Sequence, residues 1–142
     1  MRTTKEISAG GIVYRRREGA IEVVLIRVGQ KWCLPKGQVE AREGLRDTAR
    51  REVREETGLE GRIESKLGDV SYWYTRRDRE GELVRVAKRV HFYQVAYLSG
   101  SVDDHDHEVD EARWFPIESA LSVLNFASER DLVEKLNAGY EP

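Results

Sequence analysis

Short apolar and β-branched segments, separated by turn residues, predict that much of the chain is β-strand. The segments "ISAGGIVYRR" and "IEVVLIRV" are joined by the turn "REGA", so we expect them to pair. "KWCLP" is a brief extended piece that ends at Pro35. Farther along, "DVSYWYT", "RVHFYQVAYL" and "ARWFP" have the aromatic and β-branched composition of strands. These segments together predict a sheet of several strands.

Three other segments have helical composition. Residues 45–57 are rich in Arg, Glu, Leu and Ala and contain no Gly or Pro before Gly58, which is suited to end a helix. Near the C-terminus, "IESALSVL" and "SERDLVEKLNAG" also predict helices, the second ending at Gly139. The order of strands, helix, strands and helices predicts one α/β domain over residues 1–142, built on a mixed sheet.

The helix predicted over residues 45–57 carries acidic residues where an apolar stripe should continue. At about 100° per residue, its positions divide into an inward stripe and an opposite solvated face. The inward stripe is Leu45, Ala49 and Val53, and the solvated face is Arg46, Arg50 and Arg54. Glu52 and Glu56 fall within about 20° of Leu45, and Glu55 lies beside them. The stripe therefore turns acidic in the last two turns of the helix.

Clustered carboxylates on an inward-facing stripe indicate a cation site. Adjacent carboxylates repel one another, and burial raises the cost of each charge. Carboxylate oxygens select hard cations, and Mg²⁺ is the usual ion where phosphate supplies further ligands. The alternative is that the glutamates are solvated or paired with Arg51 and Arg54, because charge runs on helices are most often solvated faces.

Composition and charge restrict the classes of function. The chain has 142 residues, of which 39% are hydrophobic and 35% charged, and its formal net charge is −2. This near balance argues against a nucleic-acid partner bound by a basic face. The one cysteine, Cys33, excludes an internal disulfide, which favours a reducing compartment and a cytoplasmic location. We expect neither a signal peptide nor a membrane span.

The spacing of residues 37–59 extends the pattern beyond the helix. Gly37 is followed by five residues and Glu43, then by seven residues and "REVREETGL". This spacing resembles the Nudix box at each of its nine defined positions. "SAGGIVYR", "LPKG" and "EARWFP" also resemble segments of that family, so the likeness covers most of the chain. It implies the Nudix α/β/α sandwich, with a mixed β-sheet between helices.

The resemblance implies hydrolysis of a nucleoside diphosphate linked to another group, with Mg²⁺ or Mn²⁺ as cofactor. Glu52, Glu55 and Glu56 match metal-binding glutamates of the family, and the Gly37 carbonyl matches a further metal ligand. Glu43 and Arg51 match a pair that ties the loop to the helix. The general base is either Glu52 or a carboxylate of the loop "DDHDHEVDE", for which we expect Glu108. A solvated acidic turn is the alternative for that loop.

The substrate is harder to predict than the reaction. The segments "WCLPKGQVE", "KRVHFY" and "NFASERDLVEKL" look most like the diadenosine polyphosphate hydrolase and MutT-like branch. Candidate substrate contacts are Lys36, Lys88, His91 and Tyr93, the last two sharing one face of a strand. Oxidised nucleoside triphosphates such as 8-oxo-dGTP, or RNA 5′ ends, are alternative substrates. A non-catalytic nucleotide sensor is an alternative from another class. Both a monomer and a homodimer stay open.

Overall fold

The computed structural model describes residues 1–139, which form one mixed sheet flanked by three helices. The strands are β1 (Arg2–Arg17), β2 (Ala20–Val28), β3 (Lys31–Cys33), β4 (Lys36–Gln38), β5 (Leu59–Arg77), β6 (Leu83–Gly100) and β7 (Glu111–Pro116). The helices are α1 (Leu45–Thr57), α2 (Ile117–Val123) and α3 (Ala127–Ala138). The predicted domain over residues 1–142 stays a prediction, because its last three residues lie outside the described part.

The sheet is mixed because β1 pairs with strands of both directions. Its hydrogen-bonded order is β3-β2-β1-β6-β5, with β4 added to β1 and β7 added to β2. β1 runs parallel to β6 and antiparallel to β2 and β4. The β4 pairing sets Lys36 opposite Gly10 and Gly37 opposite Ala9. The short segment that precedes α1 is therefore anchored at the middle of the sheet.

The two faces of the sheet carry separate cores. The α1 face packs Ala9, Val13, Val24, Ala49, Val53, Leu59, Tyr93 and Val95. The face under α2 and α3 is larger and includes Ile12, Leu25, Leu34, Val90, Phe92, Phe115, Leu132 and Val133. Helices thus cover both faces, and the α/β/α sandwich expected from the sequence is confirmed.

The helices and the strands differ in how well their predicted bounds match the structure. α1 occupies residues 45–57 as predicted, with Arg46, Arg50 and Arg54 exposed. β5 and β6 are much longer than expected, at 19 and 18 residues, because β5 begins at Leu59, well before "DVSYWYT", and β6 begins at Leu83, before "RVHFYQVAYL". Strand pairing satisfies the backbone there, so no alternating apolar pattern is needed. No helix in the described part is long and apolar enough to cross a membrane.

Candidate active site

The C-terminal end of α1 is fixed by a glycine and by the acidic loop that follows β6. Gly58 adopts a left-handed conformation with φ of 78°, and its N–H donates to the Arg54 carbonyl at 2.9 Å. A Cβ at Gly58 would overlap the Ser101 carbonyl oxygen, so the loop requires glycine for space as well. The loop then returns to the helix, where the Asp106 N–H donates to the Glu55 carbonyl at 2.9 Å. Residues 101–106 are thus held against the last turn of α1.

Arg51 and Glu43 form a closed ion pair at the start of the site. Arg51 Nε donates to Glu43 Oε2 at 2.6 Å and Nη2 donates to Oε1 at 2.9 Å, a bidentate arrangement. Nη2 also donates to the Gln38 carbonyl at 3.0 Å, and Thr48 Oγ1 donates to Glu43 Oε1 at 2.8 Å. The hydrogen bonds from Arg51 are the main reason that the pKa of Glu43 falls to about 2. This pair ties the loop before α1 to the helix.

Glu52 lies directly over Gly37. A Cβ on Gly37 would overlap the Glu52 carboxylate, so the absence of a side chain makes room for that group. Glu52 Oε1 accepts a hydrogen bond from Arg51 Nη1 at 2.6 Å. Burial nevertheless raises the pKa of Glu52, although Arg51 opposes the shift. The Gly37 backbone and the Glu52 carboxylate are therefore neighbours, as the predicted metal site requires.

Glu56 is the most perturbed carboxylate of the cluster. Its Oε1 accepts a hydrogen bond from the backbone N–H of Lys36 at 2.8 Å. Burial, reinforced by the negative charges of Glu52 and Asp106, raises the pKa of Glu56 to about 8. Glu55 is exposed and lies 3.3 Å from Arg51 Nη1. The glutamates of α1 thus range from the exposed Glu55, paired with Arg51, to the half-buried Glu56, whose pKa is strongly raised.

The donor set fits a hard divalent cation, although the side chains are not arranged as a finished cage. Among residues 1–139, no three His, Cys, Asp or Glu side chains form a group ready to hold a metal. Arg51 Nη1 contacts both Glu52 and Glu55 and takes up part of their charge. The available donors are carboxylate oxygens and the Gly37 carbonyl, which suit Mg²⁺ or Mn²⁺. The raised pKa values of Glu52 and Glu56 mark negative charge that a cation would stabilise.

The acidic loop brings a carboxylate that sequence reasoning missed. Asp106 is half-buried, and its charge raises the pKa of both Glu52 and Glu56. Glu108, the residue expected from the sequence, is exposed, and its N–H donates to Asp106 Oδ1 at 3.1 Å. Spacing alone gave no signal to separate the two, because both lie in one run of acidic residues.

The structure separates the four predicted substrate contacts into two pairs. Lys36 and Lys88 lie close enough for the charge of Lys36 to lower the pKa of Lys88, after burial as the larger cause. Tyr93 is buried on the α1 face, with the Arg46 guanidinium 5.3 Å from its ring centre. His91 Nδ1 lies 2.8 Å from Lys66 Nζ. His91 and Tyr93 do share a face, but Lys36 lines a cavity with Val90 and Phe92 on the opposite face.

That cavity has a volume of about 430 Å³ and is linked to the carboxylate cluster through Lys36. Its lining residues are Lys36, Val70, Ser71, Tyr72, Val90, Phe92, Phe126, Ser128 and Glu129. Lys36 belongs to both places, since its backbone N–H binds Glu56 while the residue lines the cavity. The volume is in the range of small-molecule sites.

Comparison with known proteins agrees with this geometry. The family model described as "NUDIX domain" matches residues 4–136. The chain belongs to the NUDIX family. The resemblance drawn from residues 37–59 is thereby confirmed, and the carboxylate cluster of α1 lies within the matched region.

Individual relatives in the NUDIX family have related but different descriptions. A putative mutator protein MutT4 of Mycobacterium tuberculosis (strain CDC 1551 / Oshkosh) is 40% identical over 142 residues, which cover 94% of this chain and 55% of the relative. An 8-oxo-(d)GTP phosphatase of Mycolicibacterium smegmatis is 29% identical over 104 residues, 73% of this chain and 29% of the relative. The chain thus spans about half, or less, of the length of these relatives.

Solved structures support the fold. A C. elegans Ap4A hydrolase in a binary complex superposes with a TM-score of 0.68 at 23% identity, covering 94% of this chain and 96% of that one. At this level of identity the likeness establishes the NUDIX fold and leaves the substrate open.

Proposed function

We propose that this NUDIX protein is a hydrolase that cleaves a phosphoric anhydride bond in a nucleoside diphosphate-linked substrate, with Mg²⁺ or Mn²⁺ bound. The observation that carries the proposal is the half-buried carboxyl group of Glu56, held by the Lys36 N–H and subject to the charges of Glu52 and Asp106. A carboxyl group with so strongly raised a pKa is costly in a purely structural role. Perturbed carboxylates in a cleft are typical of functional sites.

Each residue of the cluster has a role in this proposal. Glu52, Glu55, Glu56 and the Gly37 carbonyl would hold the cation, which supplies charge neutralisation and a more acidic bound water. Arg51, fixed by Glu43, orients Glu52 through the hydrogen bond from Nη1. Lys36 and Lys88 attract the substrate phosphates.

A carboxylate must accept the proton of the attacking water, and the sequence left Glu52 and Glu108 as candidates. Replacing Glu108 by Gln tests the second assignment. We expect kcat to fall about 100-fold or more if Glu108 is the general base. A wild-type pH–rate profile in Glu108→Gln would assign the role to Glu52 instead.

The finer proposal for the substrate is a dinucleoside polyphosphate such as diadenosine tetraphosphate. The mutual proximity of Lys36 and Lys88 supports it, because two neighbouring cations suit a chain of several phosphates. An oxidised nucleoside triphosphate is the second candidate, favoured by the printed descriptions of the two mycobacterial relatives. RNA 5′ ends fit less well with a net charge of −2. A cytoplasmic location and a monomeric or homodimeric state belong to the same proposal.

One substrate panel tests the reaction and ranks the candidates. The purified chain is incubated with Mg²⁺ or Mn²⁺ and diadenosine tetraphosphate, 8-oxo-dGTP, ADP-ribose, capped RNA or triphosphorylated RNA, and kcat/KM is compared. We expect turnover of at least one nucleotide and its loss when the divalent ion is chelated. Binding without turnover for every compound and both ions would favour the alternative of a non-catalytic sensor.

A further inference from the structure

β5 has an open edge over residues 69–77, which we call the edge segment. β5 is the last strand of the hydrogen-bonded order, and within the described part of the chain it pairs only with β6. Every second residue of such a strand directs its N–H and C=O groups away from the neighbouring strand. In the edge segment these groups face outward along about 30 Å. An open edge of this length can pair with a further strand.

The first half of β5 is protected against such pairing, whereas the edge segment is not. Before the edge segment the register against β6 shifts three times, and from there on it is continuous. Side chains also take up carbonyl oxygens of the first half, because Arg46 donates to Glu64 and Lys135 donates to Leu67. The edge segment contains the run "VSYWYT", which has strand composition and neither charge nor proline. Runs of this kind on a sheet edge favour pairing between chains.

The sequence of the edge segment, "DVSYWYTRR", is self-complementary about Trp73. Antiparallel pairing of two copies centred on Trp73 would set matching side chains opposite each other: Trp73–Trp73, Tyr72–Tyr74, Ser71–Thr75 and Asp69–Arg77. Aromatic, hydroxyl and opposite-charge pairs directly across two strands each stabilise a sheet. Val70 would face Arg76, whose aliphatic stem can cover it. The charges at the two ends of the segment therefore fix one register.

The aromatic side chains of the edge segment are exposed in the single chain. Trp73 is 53% exposed and Tyr72 is 40% exposed. Strand alternation places Tyr72 and Tyr74 on the face of α2 and α3, with their ring centres 6.3 Å apart, and Trp73 on the α1 face. Pairing of two edge segments would therefore remove aromatic surface from water on both faces of the sheet.

We propose that the edge segments of two copies of this chain pair antiparallel about Trp73 and join the molecules into a homodimer with one continuous sheet. A two-fold axis perpendicular to the sheet relates the copies, so the same surface is used on both. The cavities beside Lys36 then open on the same side of this sheet, and Val70 and Tyr72, which line each cavity, lie on its central strands. The homodimer is one of the two states in the proposed function, and this contact does not depend on the chemistry of the reaction.

Sedimentation velocity of the full chain, from low to high micromolar concentration, tests the contact. A single strand pairing is smaller than a standard interface, so we expect a reversible dimer whose fraction rises with concentration. Asp69→Arg sets two arginines opposite each other, and Arg77→Asp sets two aspartates opposite each other. Each variant should weaken the dimer about 10-fold. The double variant restores opposite charges and should dimerise like the wild type.

Glu118→Arg is the matched control for these charge variants. Glu118 is exposed on α2, away from β5, and its replacement changes the net charge by as much as Asp69→Arg does. The dimer should be as stable in this variant as in the wild type.

Disulfide formation tests the register. In a Cys33→Ser background, Trp73→Cys places two thiols across the axis, where facing Cα atoms are about 5 Å apart and within reach of a disulfide. Ser71→Cys is the control on the same face, because its two cysteines would lie about 14 Å apart. We expect mild oxidation at high protein concentration to give a covalent dimer through position 73 and little through position 71.

A chain that sediments as a monomer at every concentration would overturn the inference and leave the edge to a strand of another protein. A dimer that neither single charge variant weakens, or that the double variant does not restore, would also overturn it. Equal cross-linking through both cysteines would exclude the register. Activity enters none of these measurements, so a lack of hydrolysis in the substrate panel would leave the homodimer standing.

Discussion

Glu43 and Glu56 belong to one 23-residue pattern, yet their surroundings shift their pKa values in opposite directions. The two hydrogen bonds from Arg51 lower the pKa of Glu43 to about 2. Burial raises the pKa of Glu56 to about 8, and Glu56 Oε1 accepts its hydrogen bond from a neutral backbone N–H, that of Lys36. Glu43 is hydrogen-bonded to a cation of the chain, whereas the charge of Lys36 acts on Glu56 too weakly to offset burial.

The difference assigns separate tasks to the two ends of the pattern. The Glu43 end is complete without a ligand, since Arg51, Thr48 and Gln38 all take part in one network. The Glu56 end gathers negative charge from Glu52 and Asp106, and in the proposed function a cation from outside completes it. Stability and function are therefore divided within a single helix and its preceding loop.

The largest effect should come from Glu56→Gln. The change keeps the shape of the side chain but removes the carboxylate that the proposed cation requires, so we expect kcat to fall about 100- to 1000-fold. Steady-state kinetics at saturating Mg²⁺ measure this. Glu60→Gln is the control, because Glu60 pairs with Arg50 and Arg54 on the exposed face. Equal losses in both variants would contradict the special position of Glu56.

Gly37→Ala should lower activity by displacing Glu52, at the Glu56 end of the pattern, without unfolding the protein. The new Cβ would overlap the Glu52 carboxylate, which can swing away because it is the end of a flexible side chain. We expect kcat/KM to fall about 10- to 100-fold, the typical result of a small misplacement. The thermal midpoint should stay near that of the wild type. In Gly44→Ala the added Cβ would meet Asp47 Oδ2 at an ordinary 3.4 Å, so its activity should persist.

Glu43→Gln alters the Glu43 end of the pattern, where the carboxylate pairs with Arg51. The loss of charge breaks the bidentate pair, and Arg51 is then free to bind Glu52 and Glu55 more tightly. We expect about a 10-fold loss of apparent Mg²⁺ affinity with little change in kcat at saturation, because a positioning residue is altered. Titration of activity with Mg²⁺ separates the two quantities. A loss of kcat that excess Mg²⁺ does not restore would contradict a positioning role.

The spacing of residues 37–59 predicted this local arrangement because it depends on helical geometry and short loops. The bounds of α1 followed from composition and Gly58, its exposed arginines from helical periodicity, and its family from that spacing. The roles of individual residues stay predictions. The burial of Glu129 could not be predicted in this way. Its hydrogen-bond partner Leu34 lies 95 residues away, and "SERDLVEKL" predicts only the polar start of a helix. Strand alternation likewise placed His91 and Tyr93 on one face but could not tell which helix covers it.

Stability of the metal-free protein should fall as pH rises. The pKa of Glu56 is about 8 when folded, against 4.5 as its ordinary value, so the folded state keeps a proton that the unfolded state has lost. Its contribution is fully present below about pH 4.5 and is lost on approaching pH 8. Glu129, with a pKa of about 7, adds to the same trend. Thermal unfolding from pH 5 to 8 measures the slope, which should be smaller in Glu56→Gln.

Mg²⁺ should oppose this loss, because an ion that binds only the folded state stabilises it. The rise in thermal midpoint should be greater at pH 8 than at pH 6, since protons compete with the ion for Glu56. An equal rise in thermal midpoint at pH 6 and pH 8, or the same rise in Glu56→Gln as in the wild type, would argue that the ion binds elsewhere.

The smallest effect is expected from Asp106→Asn. Its negative charge contributes to the raised pKa of Glu56, after burial and Glu52, so its removal should lower that pKa without restoring it to normal. The metal-free variant should be slightly more stable than the wild type at pH 8 and indistinguishable from it at pH 5, where Glu56 is already protonated. Asp104→Asn removes an exposed charge from the same loop and should leave the stability at pH 8 and at pH 5 unchanged. If the two variants behave alike, the loop acts on Glu56 only through its overall charge. The contact between Asp106 and the end of α1 would then not contribute to the difference between the pKa values of Glu56 and Glu43.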